Sequence, residues 1–188
     1  MDVAEVLLTG LDRFRLVLED LNEGNGTQPS PCNQWTARAV AGHVLTVLDS
    51  AAVTLRGESF DWSAAPDPSD VGGDDPLALF TERSEAASLA LAQASLDRAV
   101  ETPMGAMTIG QRLSFPAMDL HLHAWDLGRA IGVGVEIPAE VAEFVHRVLD
   151  PLPESMTRSE GVFGAEVVPP GDATPTEVLM AWTGRQVR

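Results

Sequence analysis

Asp119 and His123 stand four residues apart in the run Asp119-Leu120-His121-Leu122-His123-Ala124-Trp125-Asp126-Leu127. On a helix that spacing stacks them on one face, one turn or roughly 5.4 Å apart. A carboxylate and an imidazole so placed can close on one metal ion. Asp126 continues the stripe at i+7, whereas His121 is turned away by about 200°. Leu113, Leu120, Ala124, Leu127 and Ile131 form an apolar strip on one side, and Met118, Leu122 and Trp125 another on the far side. A polar line between two apolar strips faces a protein interior. Buried carboxylates need a partner, and a metal would be one.

A second inward-pointing histidine comes from an earlier segment. The pattern predicts a helix over 36–56, with Gly57 as its stop. His43 shares a face there with Val40, Val47, Ala51 and Thr54, and Arg38, Asp49 and Arg56 lie opposite. His43, Asp119 and His123 together would give two imidazoles and a carboxylate. Such a three-ligand set leaves coordination positions open for water or substrate, as catalytic metals require. The alternative from spacing alone is a buried Asp–His hydrogen bond with an unrelated core histidine at position 43. Asp126 is expected to orient a ligand histidine, or to pair with Arg129 or Arg112. Cys32 precedes His43 by about eleven residues and would lie on the order of 10 Å away along a helix axis, so a packed loop thiol is expected. His121 and His146 are expected at the surface. Trp125 is read as core or pocket wall, and Phe60 and Trp62 as aromatics that pack over the domain or line a cleft.

The elements that must position these residues are mostly helical. Helices are predicted over 3–21, 36–56, 76–99 and 109–131, and a C-terminal extension over 138–188 holds a fifth helix to about Leu149 and a short last one, Pro175 to about Thr183. Asn22–Gly26 stops the first. Asp75 followed by Pro76 opens the third, as cap and first residue. Thr108–Gln111 and Thr174–Glu177 read as capping boxes. Pro116 should kink the fourth helix one turn before Asp119. Residues 58–75 form a polar loop, and Gly161–Gly164 an extended piece lying on the bundle.

Composition narrows the function classes. The 188 residues suit a single domain, and 45% of them are hydrophobic, enough for a sizeable core. The net charge of -16 argues against nucleic acid and anionic membrane surfaces. A lone cysteine suits a reducing, cytoplasmic setting. Neither a signal peptide nor a membrane-spanning run is expected. A spare apolar bundle face would allow a homodimer.

Ser30-Pro31-Cys32-Asn33-Gln34-Trp35-Thr36 with Gly42-His43, and the Asp119–Gly132 run, resemble the metal-binding domain of mycothiol-dependent maleylpyruvate isomerase and its relatives, within the DinB-like helical fold. The tail, Gly161–Val167 and Leu179–Arg185, resembles a single-domain branch of that group. The resemblance implies an all-α, DinB-like four-helix bundle with additional short C-terminal helices. It implies His43, Asp119 and His123 as ligands, with Asp119 where relatives often carry the longer glutamate. The implied cofactors are a divalent metal (zinc first; nickel, iron or manganese as alternatives) and mycothiol. The implied partner is a small thiol or its adduct. The implied activity is that of a divalent-metal-dependent enzyme of the isomerase or thiol-transferase type. The two-domain isomerase has a second domain contributing to its active site, for which 188 residues leave no room, and thiol transfer to another electrophile stays open beside isomerisation. A non-catalytic metal-binding protein or interaction module is the alternative.

Overall fold

The computed structural model describes residues 1–32, 35–102, 105–158 and 162–188. Eight helices and one two-stranded hairpin are found among them: α1 (Val3–Leu18), α2 (Ala37–Leu55), α3 (Pro68–Val71), α4 (Pro76–Gln93), β1 (Ala99–Thr102), β2 (Gly105–Thr108), α5 (Ile109–Ile131), α6 (Ala139–Leu149), α7 (Glu154–Thr157) and α8 (Pro175–Trp182). The four long helices close a bundle: α1 and α2 each pack against both α4 and α5. Phe14, Leu45, Leu48, Phe80, Leu113 and Leu120 are among the side chains that fill the core between them.

Local chemistry sets the helix ends that matter for the site. The α5 start is closed by the Thr108–Gln111 capping box and its end by Gly132, which is left-handed at φ 82°. The helix continues through Pro116, whose missing N–H leaves one carbonyl of the preceding turn without its bond. α2 is capped by Thr36, and Gly57 at φ 82° takes the chain out of it. α2 has the length and apolarity of a membrane span, but it is buried along most of its length in the bundle core.

Two helix ends and one added helix differ from expectation. α1 ends at Leu18 rather than Leu21, because Asn22 and Asn25 bond the local backbone into a tight turn. α4 ends at Gln93 rather than Ala99. Residues 94–98 form a turn instead, and Ala99 opens β1, paired antiparallel with β2 in the register Ala99↔Thr108 to Thr102↔Gly105. The extension also holds α7, which was not expected. Of the extended piece expected at 161–164, Gly161 lies outside the described residues, Val162 is exposed and Phe163 is buried.

Two close backbone approaches position the site. A Cβ on Gly42 would sit 1.9 Å from the Pro68 carbonyl oxygen, so segment 58–75 lies directly on α2 one residue before His43. A Cβ on Gly184, at φ 89°, would sit 2.7 Å from Gly164 Cα. This contact joins the end of α8 to the segment at Phe163 and fixes the residue that follows, Arg185.

Candidate metal centre

α2 and α5 bring His43, Asp119 and His123 together. One donor atom from each lies within 4.8 Å of the others. His43 Nε2 is 3.8 Å from Asp119 Oδ2. Donors about 2.0–2.2 Å from one ion stand roughly 3–3.5 Å apart, so small side-chain movements suffice for all three to reach a common centre. The set is open on one side: the His43 and Asp119 side chains are 18% and 28% exposed, that of His123 only 8%. Trp35 lies against both histidines, with ring centres 4.7 Å from His43 and 5.9 Å from His123. Trp62, on a short 3-10 turn, approaches His43 at 6.1 Å and stacks edge-on with Phe60 at 4.9 Å.

Behind His123 the chain builds a buried polar network. Asp126 Oδ2 accepts from His123 Nδ1 at 2.9 Å, so the Nδ1 nitrogen carries the proton and Nε2 is the one left for a metal. The Cys32 thiol donates to the same oxygen at 3.0 Å and lies 3.8 Å from His123 Nδ1. Arg185 grips both carboxylate oxygens, Nε to Oδ1 at 3.2 Å and Nη2 to Oδ2 at 2.9 Å. Its guanidinium rests over the Phe163 ring at 5.5 Å. Cys32, His123 and Asp126 also have their donor atoms within 4.8 Å of one another. There, however, the His123 N–H, the Cys32 S–H and two N–H groups of the Arg185 guanidinium already satisfy the carboxylate. This grouping is therefore a hydrogen-bond network, and His43, Asp119 and His123 are the candidate set for a cation.

Charges follow from these contacts. Burial opposes charge on His123, but the bonds to Asp126 and Cys32 and the nearby Asp119 raise its pKa to about 10. Burial would lift the Asp126 carboxyl, yet Arg185 and His123 hold it well below the usual carboxylate range. Arg185 is buried, and Asp126 keeps it firmly charged. At His43 burial wins, and its pKa is lowered despite the Asp119 bond. Asp119 also resists burial: the His43 bond and the His123 and Arg185 charges leave its pKa lowered.

The other singled-out residues fall as follows. Asp126 bonds the candidate ligand His123, and its cation is Arg185 rather than Arg112 or Arg129. Arg129 instead lies 5.6 Å over the Trp125 ring, and Trp125 is core, 4% exposed. His121 is not at the surface. It is fully buried under α1, with Nε2 2.9 Å from Val6 O and Nδ1 accepting from Arg13 Nε at 3.2 Å. Gly10 permits this, since a Cβ there would meet Leu120 Cβ at 2.8 Å. His146 is half-buried, paired with Asp150 and stacked on Trp182, away from the donor set. Cys32 is not merely a packed loop thiol, because it touches a ligand candidate. Trp35, Cys32 and Arg185 are the residues that single-helix patterns passed over. Their only signal was membership of two motifs that carried the resemblance, 30–36 and the tail 179–185.

Comparison with known proteins points to one family. The model of the mycothiol maleylpyruvate isomerase N-terminal domain matches residues 7–128. Two uncharacterized proteins of Mycobacterium tuberculosis, from strains CDC 1551 / Oshkosh and H37Rv, are each 24% identical over 179 residues, covering 94% of both chains. Crystal structures of the mycothiol-dependent maleylpyruvate isomerase and of a histidine-to-alanine mutant of it superpose with TM-scores of 0.58 and 0.57. Sequence identity is 19% and 18%, and the match covers 79% of this chain and 68% of theirs. At that identity the likeness establishes the mostly helical fold.

Proposed function

Because this chain belongs to the mycothiol maleylpyruvate isomerase N-terminal domain family, we propose that it is a divalent-metal-dependent enzyme that activates a low-molecular-weight thiol for transfer or isomerisation. His43, Asp119 and His123 would hold the ion, zinc in the first instance. The observation that carries this reading is the donor set itself: three ligand-type atoms within 4.8 Å, two of them on partly exposed side chains. A structural metal would be enclosed by four protein ligands, whereas three with an open side suit a substrate.

When bound, a divalent ion lowers the pKa of a thiol so that the nucleophilic thiolate is present at neutral pH. The chain's own residues set the stage for that chemistry. Asp126 fixes the His123 tautomer and ring orientation, and Arg185 fixes Asp126. Trp35 shields the two histidines and limits water at their faces. With Asp126 committed to Arg185 and His123, no side chain of the stripe is left as a general base, so the thiol proton leaves to solvent. Mycothiol is the proposed thiol, and a reducing cytoplasm the proposed compartment, in keeping with one free cysteine.

Elemental analysis of protein purified without a metal-affinity tag tests the first half. One ion per chain is expected. Cobalt substitution tests the second: titration with mycothiol, or with a simple thiol, should add a sulfur-to-metal charge-transfer band. Stoichiometric metal without a band or metal-dependent turnover would leave a non-catalytic metal-binding protein.

A further inference from the structure

The open side of the donor set has a wall that the core does not need. Phe60 and Trp62 belong neither to the buried hydrophobic cluster nor to the side chains packed on it, and Trp62 is 50% exposed. A large aromatic at the surface is unremarkable when single. Here two rings stack together at the mouth of the site, one of them 6.1 Å from the His43 ring.

The segment that carries them is held in place. Asp61 caps the turn of Trp62 by accepting from the Ser63 N–H and hydroxyl. The Pro68 carbonyl lies on Gly42. Arg112 donates to the Glu58 carbonyl at 2.6 Å and Arg38 to the Gly73 carbonyl at 2.7 Å, pinning both ends. The backbone that carries the rings is therefore held before any ligand arrives, which lowers the cost of binding against them.

The charge of the same segment is one-sided. Residues 58–75 contain Glu58, Asp61, Asp67, Asp70, Asp74 and Asp75 and no Lys, Arg or His. Of the cations packed against it, Arg56 pairs with Glu58 at 3.5 Å, and Arg38 and Arg112 are directed to backbone carbonyls. Among the described residues, none of the five aspartates has an ion-pair partner. The buried cation of the site, Arg185, is consumed by Asp126. The six carboxylates of the segment outnumber Arg38, Arg56 and Arg112, so an anion approaching along it would meet negative potential.

We propose that the second substrate of this site is a planar, uncharged aromatic or conjugated electrophile that lies against Trp62 and Phe60, and that the acidic segment discriminates against carboxylates and other anions. This rests on the thiol-activating reading above and names the substrate class for it. Trp62 is then the specificity-determining residue. Its flat face supplies contact area at low entropic cost, and its neighbours supply the charge filter.

Calorimetric titration of the metal-loaded full chain with two unreactive probes of one shape, 4-nitrobenzamide and 4-nitrobenzenesulfonate, tests this. A sulfonate is chosen because it is a poor metal ligand and reports charge alone. The amide should bind about tenfold more tightly at low salt, with the ratio shrinking as salt screens the aspartates. Trp62→Ala should weaken the amide by about three- to tenfold with metal content unchanged, and Trp62→Phe should restore most of it. Equal or tighter sulfonate binding at low salt, or an amide affinity indifferent to Trp62→Ala, would overturn the proposal. Metal content and the cobalt–thiol band are read on the same samples. A band without probe preference sinks this inference alone. A preference without a band keeps the aromatic, anion-excluding wall but sinks the thiol reading, and with it the role of this ligand as a second substrate.

Discussion

Arg185 closes on both carboxylate oxygens of Asp126 across 59 residues of sequence, and both side chains are almost wholly buried. The tail of the chain is thereby part of the candidate metal centre, because Asp126 in turn holds His123. Breaking a buried pair from one side leaves an unpaired charge and costs about 3–5 kcal/mol. Loss of an outer partner of a ligand histidine weakens metal binding by about 10–100-fold. Arg185→Leu should therefore show both effects, read by urea unfolding and by competition with a chromophoric zinc chelator. Arg185→Lys, which keeps the charge but not the fork, should fall between. A stable Arg185→Leu protein with undiminished zinc affinity would remove the tail from the site.

The donor set makes a sharper distinction among its own members. His43→Ala and His123→Ala should each abolish tight binding of a divalent ion, since two remaining ligands cannot hold it. Asp126→Asn should weaken the site yet leave measurable occupancy, because Asp126 acts through His123. Elemental analysis after exhaustive dialysis checks this. Full occupancy in both histidine variants would mean that the ligand set is wrong.

His121 predicts a pH dependence of stability that is separable from the metal. Its Nε2 donates to the Val6 carbonyl and its Nδ1 accepts from Arg13, so the folded state holds the neutral ring, with burial lowering the pKa to about 4. The unfolded chain, with a histidine pKa near 6.5, binds more protons between these values. Stability from His121 is present in full above pH ~6.5 and is lost as pH falls towards ~4, a loss on the order of 3 kcal/mol. Unfolding of the wild type and of His121→Gln, both with metal chelated, should be compared from pH 7 to 4. The variant is less stable at pH 7, and the gap should close as the solution is acidified. A gap independent of pH would show that His121 is not held neutral.

The parts legible in the sequence are those written into contiguous residues. The Thr108–Gln111 box and Gly132 bound α5 at Ile109 and Ile131, where the sequence placed them. Periodicity likewise set Asp119 and His123 on one face. It failed where an element is too short to show a period, as in the four-residue strands β1 and β2. It failed again where the answer lies on another segment. His121 was placed outside because it turns away from the polar stripe, but α1 covers that side, brought close by Gly10. Cys32 was placed away along the α2 axis. Instead the entry loop folds on itself, with Ser30 N–H donating to the Trp35 carbonyl at 2.9 Å, and its thiol reaches Asp126 on α5. No wheel of one helix contains that contact, nor the one from Arg185.

Gly42 joins the fold to specificity and gives the last test. It sits inside α2, where alanine would raise helix propensity by about 1 kcal/mol. Nevertheless a Cβ at this position would lie 1.9 Å from the Pro68 oxygen and 2.9 Å from its carbonyl carbon, both backbone atoms that no rotamer change can move. Gly42→Ala must push segment 58–75 off the helix, at a net cost of about 1–3 kcal/mol. His43 and Asp119 are on α2 and α5, not on that segment, so the ion should still bind. Trp62 should shift away from His43, and affinity for 4-nitrobenzamide should fall to that of Trp62→Ala. Zinc stoichiometry, urea unfolding and probe titration on one preparation separate the three effects. Unchanged stability and unchanged probe affinity would mean that the Pro68 contact does not hold the aromatic wall in place.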